Sequence, residues 1–223
     1  MTETTISVQG HHSAWYPAER ATVVVSIGFD GPDRETVFEA ATASLAAVRE
    51  TVEAIHEPSA GPITWWSADS VRVWSQRPWN QDGVQLDPVH HAALDLSAKF
   101  KDFEALSRWI ESAVAVPGAS VTSIEWALTE SRETSVLAEV RSRAVKDAVS
   151  KASVYAQSIG LGSVSATAIA DPGMLGDGAS TVAPQFDRMM MKSGVGSVDG
   201  VPLALKPEQI EVSASVDARF VAR

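Results

Sequence analysis

Apolar positions along this chain recur with two different periods, and each switch between them marks an element. Ile6 to Gly10 and Ala21 to Phe29 read as one strand region with an interruption. In its second piece Ala21, Val23, Val25, Ile27 and Phe29 share a face, as alternation in a strand requires. Gly31-Pro32-Asp33 punctuates a turn, and Asp33 suits a helix N-cap. From Arg34 to His56 the period lengthens. Ala41, Leu45, Val48, Val52 and Ile55 are spaced 4, 3, 4, 3, which predicts a helix with one apolar stripe. Pro58, Gly61 and Pro62 end it. Ile63 to Gln76 returns to a strand, with Trp65, Val71 and Val73 on one face and Trp66, Arg72 and Trp74 on the other. Arg77 to Pro88 has the composition of a hairpin loop, and Val89 to Phe100 is the returning strand.

The second half repeats the theme. Asp102 to Val116 predicts a helix with Phe103, Leu106, Trp109, Ile110 and Ala113 at helical spacing, stopped by Pro117-Gly118. Val121 to Leu128 predicts a strand. Ser131 to Ile159 predicts one long helix whose stripe is Leu137, Val140, Ala144, Ala148, Ala152, Tyr155 and Ile159, with Gly160 and Gly162 closing it. Ser163 to Ala170 is the next strand. Residues 171–207 hold six Gly, four Pro and little periodicity, a length of loop that is uncommon inside a compact domain. Ile210, Val212, Ala214, Val216, Ala218 and Phe220 then alternate with polar residues, the mark of a half-buried antiparallel strand. The order β-α-β-β-α-β-α-β-β predicts an α+β fold. It comprises two β-α-β-type halves, about 1–100 and 101–223, with antiparallel sheets covered by amphipathic helices, including the long one at about 131–159.

Composition narrows the chemistry. Forty-five per cent of 223 residues are apolar, enough for a sizeable core. The absence of cysteine excludes disulfides and thiolate metal sites. A formal net charge of -10, with 18 Lys and Arg scattered singly or in pairs, argues against a nucleic-acid partner. No apolar run approaches the roughly 20 residues that span a bilayer. The N-terminus MTETTISVQG has neither a basic nor an apolar leader region, so a cytoplasmic location is expected.

His11-His12 and His90-His91 are the obvious metal ligands. Neighbours on a strand point to opposite faces, so each pair offers one imidazole to a common site, and no His-x3-His spacing reinforces them. Ordinary surface histidines are expected, with no metal and no cofactor. The Gly-x-Ser-x-Gly elbow is absent, and no catalytic residue is assigned. The glycines of GLGSVS follow a helix and precede a strand, the reverse of a phosphate cradle. Of seven tryptophans, Trp65, Trp66, Trp74 and Trp79 cluster around one strand and its loop. Aromatic rings on both faces of a strand point to core packing or to a binding or subunit surface. Phe186 and the run Met189-Met190-Met191 lie in the Gly-rich loop, and methionine suits adaptable interfaces.

Three stretches carry a family resemblance. They are ISVQGHHSAWYPAERATVVVSIGFDG near the start, EVRSRAVKDAVSKASVYAQSIGLGSVSATAIAD in the long helix and its sequel, and LKPEQIEVSASVDARFVA at the end. In this order they resemble the SIMPL-domain family, which includes periplasmic immunogenic proteins of Gram-negative bacteria. The resemblance covers nearly the whole chain as a single SIMPL-like domain. It implies no agreed enzymatic activity and no catalytic residues to carry over. It implies frequent export and a tendency to homo-oligomers; the expectation of no leader here departs from the exported members.

The resulting expectation is a non-enzymatic homo-oligomeric assembly or binding protein. Its partner would be itself, and its contacts would use Trp66, Trp74, Trp79, Phe186, Met189, Met190 and Met191. The alternative is a small-ligand binding module in which the tryptophans line an apolar pocket.

Overall fold

A computed structural model describes residues 3–79, 85–175 and 205–223. These residues form two compact units that interleave along the chain. The first unit holds strands β1 (Thr4–Pro17), β7 (Val164–Ala170) and β8 (Gln209–Ala222) and helix α3 (Glu130–Ser158). The second holds β2 (Arg20–Gly31), α1 (Arg34–Glu53), β3 (Ile63–Ala68), β4 (Arg72–Gln76), β5 (Val89–Phe100), α2 (Phe103–Val114) and β6 (Ala119–Ala127). All strand pairs are antiparallel, so the α+β expectation holds. A cut at residue 100 falls between β5 and α2, inside the second unit.

The first unit is a three-stranded sheet, β1-β8-β7, with α3 on one face. Ile6, Val216, Ala218, Phe220 and Ala222 meet Ala144, Ala148, Ala152 and Ala156 of α3. The buried seam of α3 is Val136, Val140, Ala144, Ala148, Ala152 and Ala156. Tyr155 and Ile159, expected in that seam, are 54% and 58% exposed. The reason is the period. A spacing of four advances about 40° per step on a 3.6-residue helix, so the seam winds around α3 instead of running straight. Alanine along it lets the helix sit close to the sheet. The half-exposed pair Arg143–Glu139, both members on α3 itself, adds only about 0.3–0.5 kcal/mol. Burial of Phe220 alone is worth about 1.5–3 kcal/mol, so packing outweighs that pair in holding α3 on the sheet. At the C-terminal end Gly160 takes φ 79°, and the Leu161 N–H returns to the Ala156 carbonyl at 2.9 Å.

The second unit is a sheet in the order β3-β5-β2-β6, with β4 also paired to β5. Val23, Val25 and Ile27 of β2 and Ala92, Leu94, Leu96 and Ala98 of β5 form one core with Val37, Ala41, Val48 and Val52 of α1 and Leu106, Trp109 and Ile110 of α2. Asp33 caps α1 by accepting from the Thr36 N–H at 2.8 Å, and Asp102 caps α2 by accepting from Glu104 and Ala105. Trp109 packs on Phe100 and donates its indole N–H to Thr51 Oγ1 at 3.0 Å, which links α2 to α1.

Two strand expectations are corrected. The region from Ile6 to Phe29 is not one interrupted strand but β1 and β2, which belong to different sheets. The region from Ile63 to Gln76 is two strands, β3 and β4, both hydrogen-bonded to β5. Both breaks leave the hydrophobic alternation nearly intact, so period alone does not reveal them.

Candidate functional site

Helices α1 and α2 occupy one face of the five-stranded sheet, and among the described residues of this unit the other face carries no helix. Its residues follow from the pairing. At one end Trp65, Lys99, Thr22 and Glu125 lie in a row across β3, β5, β2 and β6. Next come Ser67, Ser97, Val24 and Ser123, and then Asp95, Ser26 and Ser120. Arg72, Ala93 and Gly28 follow, and the last row is Trp74, His91 and Asp30. Apart from Arg72 on β4 and the Asp95 carboxylate, the middle is floored by small side chains and Val24, while large aromatic rings stand at both ends of the β3–β4 edge.

A register shift decides which rings those are. The pairing of β3 with β5 skips a residue between Ile63 and Trp65. Ile63 stays in the core, Trp65 turns outward opposite Lys99, and Trp66 turns inward opposite Ala98. The expected grouping of Trp66 with Arg72 and Trp74 on one face is thus reversed. Trp66 packs against the core beside Val71 and Val73, and Trp65 joins Trp74 outside. Trp65 and Trp74 are each 47% exposed. The Lys99 ammonium lies 5.9 Å from the Trp65 ring centroid, and Trp74 stacks on His91 with centroids 5.3 Å apart. These contacts hold both indoles in place while leaving half of each ring to solvent. Trp79 is 83% exposed. Phe186, Met189, Met190 and Met191 lie outside the described residues.

The two histidine pairs fall in different units. His11 Nδ1 shares a hydrogen bond of 3.0 Å with Ser215 Oγ on the face of the first sheet away from α3. On the same face Asp217 accepts from Gln9 Nε2 at 3.0 Å and from the Gly173 N–H at 2.7 Å, and Arg219 donates to the Leu175 carbonyl at 3.2 Å. Those bonds tie the turn after β7 onto the sheet. His12 points the other way, and its buried Nε2 has no hydrogen-bond partner among the described residues. Among the described residues no group of three or more His, Asp or Glu is placed to hold a metal ion.

Sequence reasoning singled out Trp74 and Trp79, both of which are exposed, but not Lys99 or His91 as the groups that brace the indoles. Cross-strand partners carry no local signal; only the register brings them together. No helix among the described residues is long and apolar enough to cross a membrane. No curated protein matches the chain. A family model described as SIMPL, protein of unknown function (DUF541), matches residues 6–220, nearly the full length, and the chain belongs to that family.

Proposed function

We propose that this protein is a non-enzymatic assembly protein that associates with further copies of itself through the helix-free face of its five-stranded sheet. The observation that carries the reading is the pair of braced, half-exposed indoles of Trp65 and Trp74 flanking a floor of small residues. Rigid aromatic rings bury area at low entropic cost and recur at the centres of interfaces.

Charge favours a second copy as the occupant. The row at each end begins with a Trp beside a cationic or imidazole side chain, Lys99 or His91, and finishes with a carboxylate, Glu125 or Asp30. A two-fold axis lying between two such faces and parallel to the strands would set β3 and β5 of one copy over β6 and β2 of the other. Lys99 would then approach the Glu125 end of the second copy, and Arg72 and His91 its Asp30 end. Such an isologous contact is self-complementary. β2 and β5 pair over 11 residues. At about 3.3 Å per residue and about 4.8 Å per strand the face is on the order of 700 Å², close to the roughly 800 Å² per partner of a standard interface.

Light scattering or native mass spectrometry of the purified chain tests the reading. Masses at multiples of 23.7 kDa are expected, and a monodisperse monomer at micromolar concentration overturns it. The variant Trp74→Ala separates assembly from small-molecule binding. If the indoles served a ligand, Trp74→Ala would remove a ligand-induced change in tryptophan fluorescence and leave the mass unaltered.

A further inference from the structure

Among the described residues β1 is an edge strand of the three-stranded sheet, with β8 on its other side. An edge exposes backbone donors and acceptors that template pairing with another chain. On β1 the His11 N–H and the Gln9 carbonyl point outward on either side of Gly10. Each already has a partner on α3. Asp147 Oδ2 accepts from the His11 N–H at 2.8 Å, and Lys151 Nζ donates to the Gln9 carbonyl at 3.0 Å. The two side chains are one turn apart on α3 and pair with each other at 2.7 Å. The Lys151 ammonium and the His11 N–H together hold the Asp147 carboxyl below the ordinary carboxylate range.

A carboxylate acceptor and an ammonium donor are thus held where a neighbouring strand would present its own carbonyl and N–H. One strand complements that spot with particular economy: a second copy of β1. Paired antiparallel about a two-fold axis at Gly10, each copy's His11 N–H would meet the other's Gln9 carbonyl. Gly10 permits the arrangement that prevents this, because any side chain there would hold α3 away from the strand.

We propose that Asp147 and Lys151 form a clasp that closes the β1 edge against the β1 edge of a second copy, and that opening the clasp lets two copies join there into one continuous sheet. The proposal does not rest on assembly through the Trp65 and Trp74 face, which belongs to the other unit.

The test uses the full chain with Ser7→Cys and Ser13→Cys as reporters. In the register centred on Gly10, residue 7 of one copy lies opposite residue 13 of the other. Within one copy six residues of strand separate them by about 20 Å, too far for an internal disulfide. The protein has no other cysteine to interfere. With Asp147→Ala and Lys151→Ala added, oxidation should yield about tenfold more disulfide-linked pairs than with the clasp intact, the scale of losing one charge-assisted hydrogen bond. Hydrogen exchange at the His11 amide should accelerate in parallel. The control is Glu139→Ala with Arg143→Ala, which removes a pair on the same helix whose members bond to each other, and it should leave cross-linking unchanged. Equal cross-linking with and without the clasp overturns the proposal, as does a control that cross-links equally well. If the double variant loses its circular dichroism, Lys151→Met replaces it, keeping the stem without the donor. No gain in cross-linking there overturns the proposal too. Reporter cross-links that rise while Trp74→Ala leaves native mass unchanged would support the clasp and count against the face.

Discussion

Gly10 of β1 abuts the backbone of α3 at Ala144: a Cβ built on residue 10 would run into the Ala144 carbonyl oxygen and lie 2.8 Å from the Ala148 Cβ. Backbone cannot swing aside as a side chain can. Gly10→Ala should therefore lift α3 from the sheet and cost about 1–3 kcal/mol, the range for forcing a methyl into a packed core. Urea unfolding followed by circular dichroism measures it. Trimming the opposing methyl with Ala148→Gly should not restore stability, because the closest clash is with backbone oxygen.

In the second unit the indole of Trp109 joins two helices. Trp109→Phe keeps an aromatic ring against Phe100 but deletes the donor to Thr51 Oγ1. The Thr51 hydroxyl still donates to the Val48 carbonyl at 2.6 Å, so it is not stranded. The expected loss is about 1–2 kcal/mol, one hydrogen bond plus a small void. Trp109→Ala should cost about 3–5 kcal/mol. Equal effects of the two substitutions would show that the hydrogen bond contributes nothing.

Trp65 and Trp74 should separate association from stability. Each is half exposed, so replacing either with Ala should shift the unfolding midpoint little. Each should weaken self-association about 30-fold or more, as loss of a central aromatic anchor does. Trp66→Ala should do the reverse, destabilising the fold because this ring packs against the core. Sedimentation equilibrium beside thermal unfolding gives both readouts.

Asp33 gives α1 a pH signature. Hydrogen bonds from the Thr36 N–H and hydroxyl lower its carboxyl below the ordinary range. A depressed folded-state value means that the contribution to stability is present above the unfolded value, about pH 4, and is lost as pH falls through the folded value. The stability gap between the unaltered protein and Asp33→Ala should be constant from neutral pH down to about that point and narrow below it. Denaturant titrations across a pH series test this. A gap that stays unchanged into strong acid would show that the carboxylate charge is not what caps the helix.

The sequence by itself determined the elements and their buried faces where period and punctuation agree. Val89 to Phe100 is a strand with the bounds its alternation gives, Asp33 and Asp102 mark two helix starts, and Leu106, Trp109, Ile110 and Ala113 lie on the buried side of α2 as their spacing requires. It also displayed the family, because the matching stretches keep their order along the chain. Tertiary structure alone decided how the strands are shared out. Pairing joins β1 near the start of the chain to β8 at its end, from Thr4↔Ala222 to Pro17↔Gln209, and nothing local in either strand names its partner. It decided the Trp65–Trp66 inversion, since one skipped residue in a ladder exchanges faces without altering composition. It also brought Asp147 and Lys151 to the edge of β1. Periodicity reports which way a side chain points from its own element, whereas register and close approach depend on distant residues meeting, and a linear pattern holds no record of that.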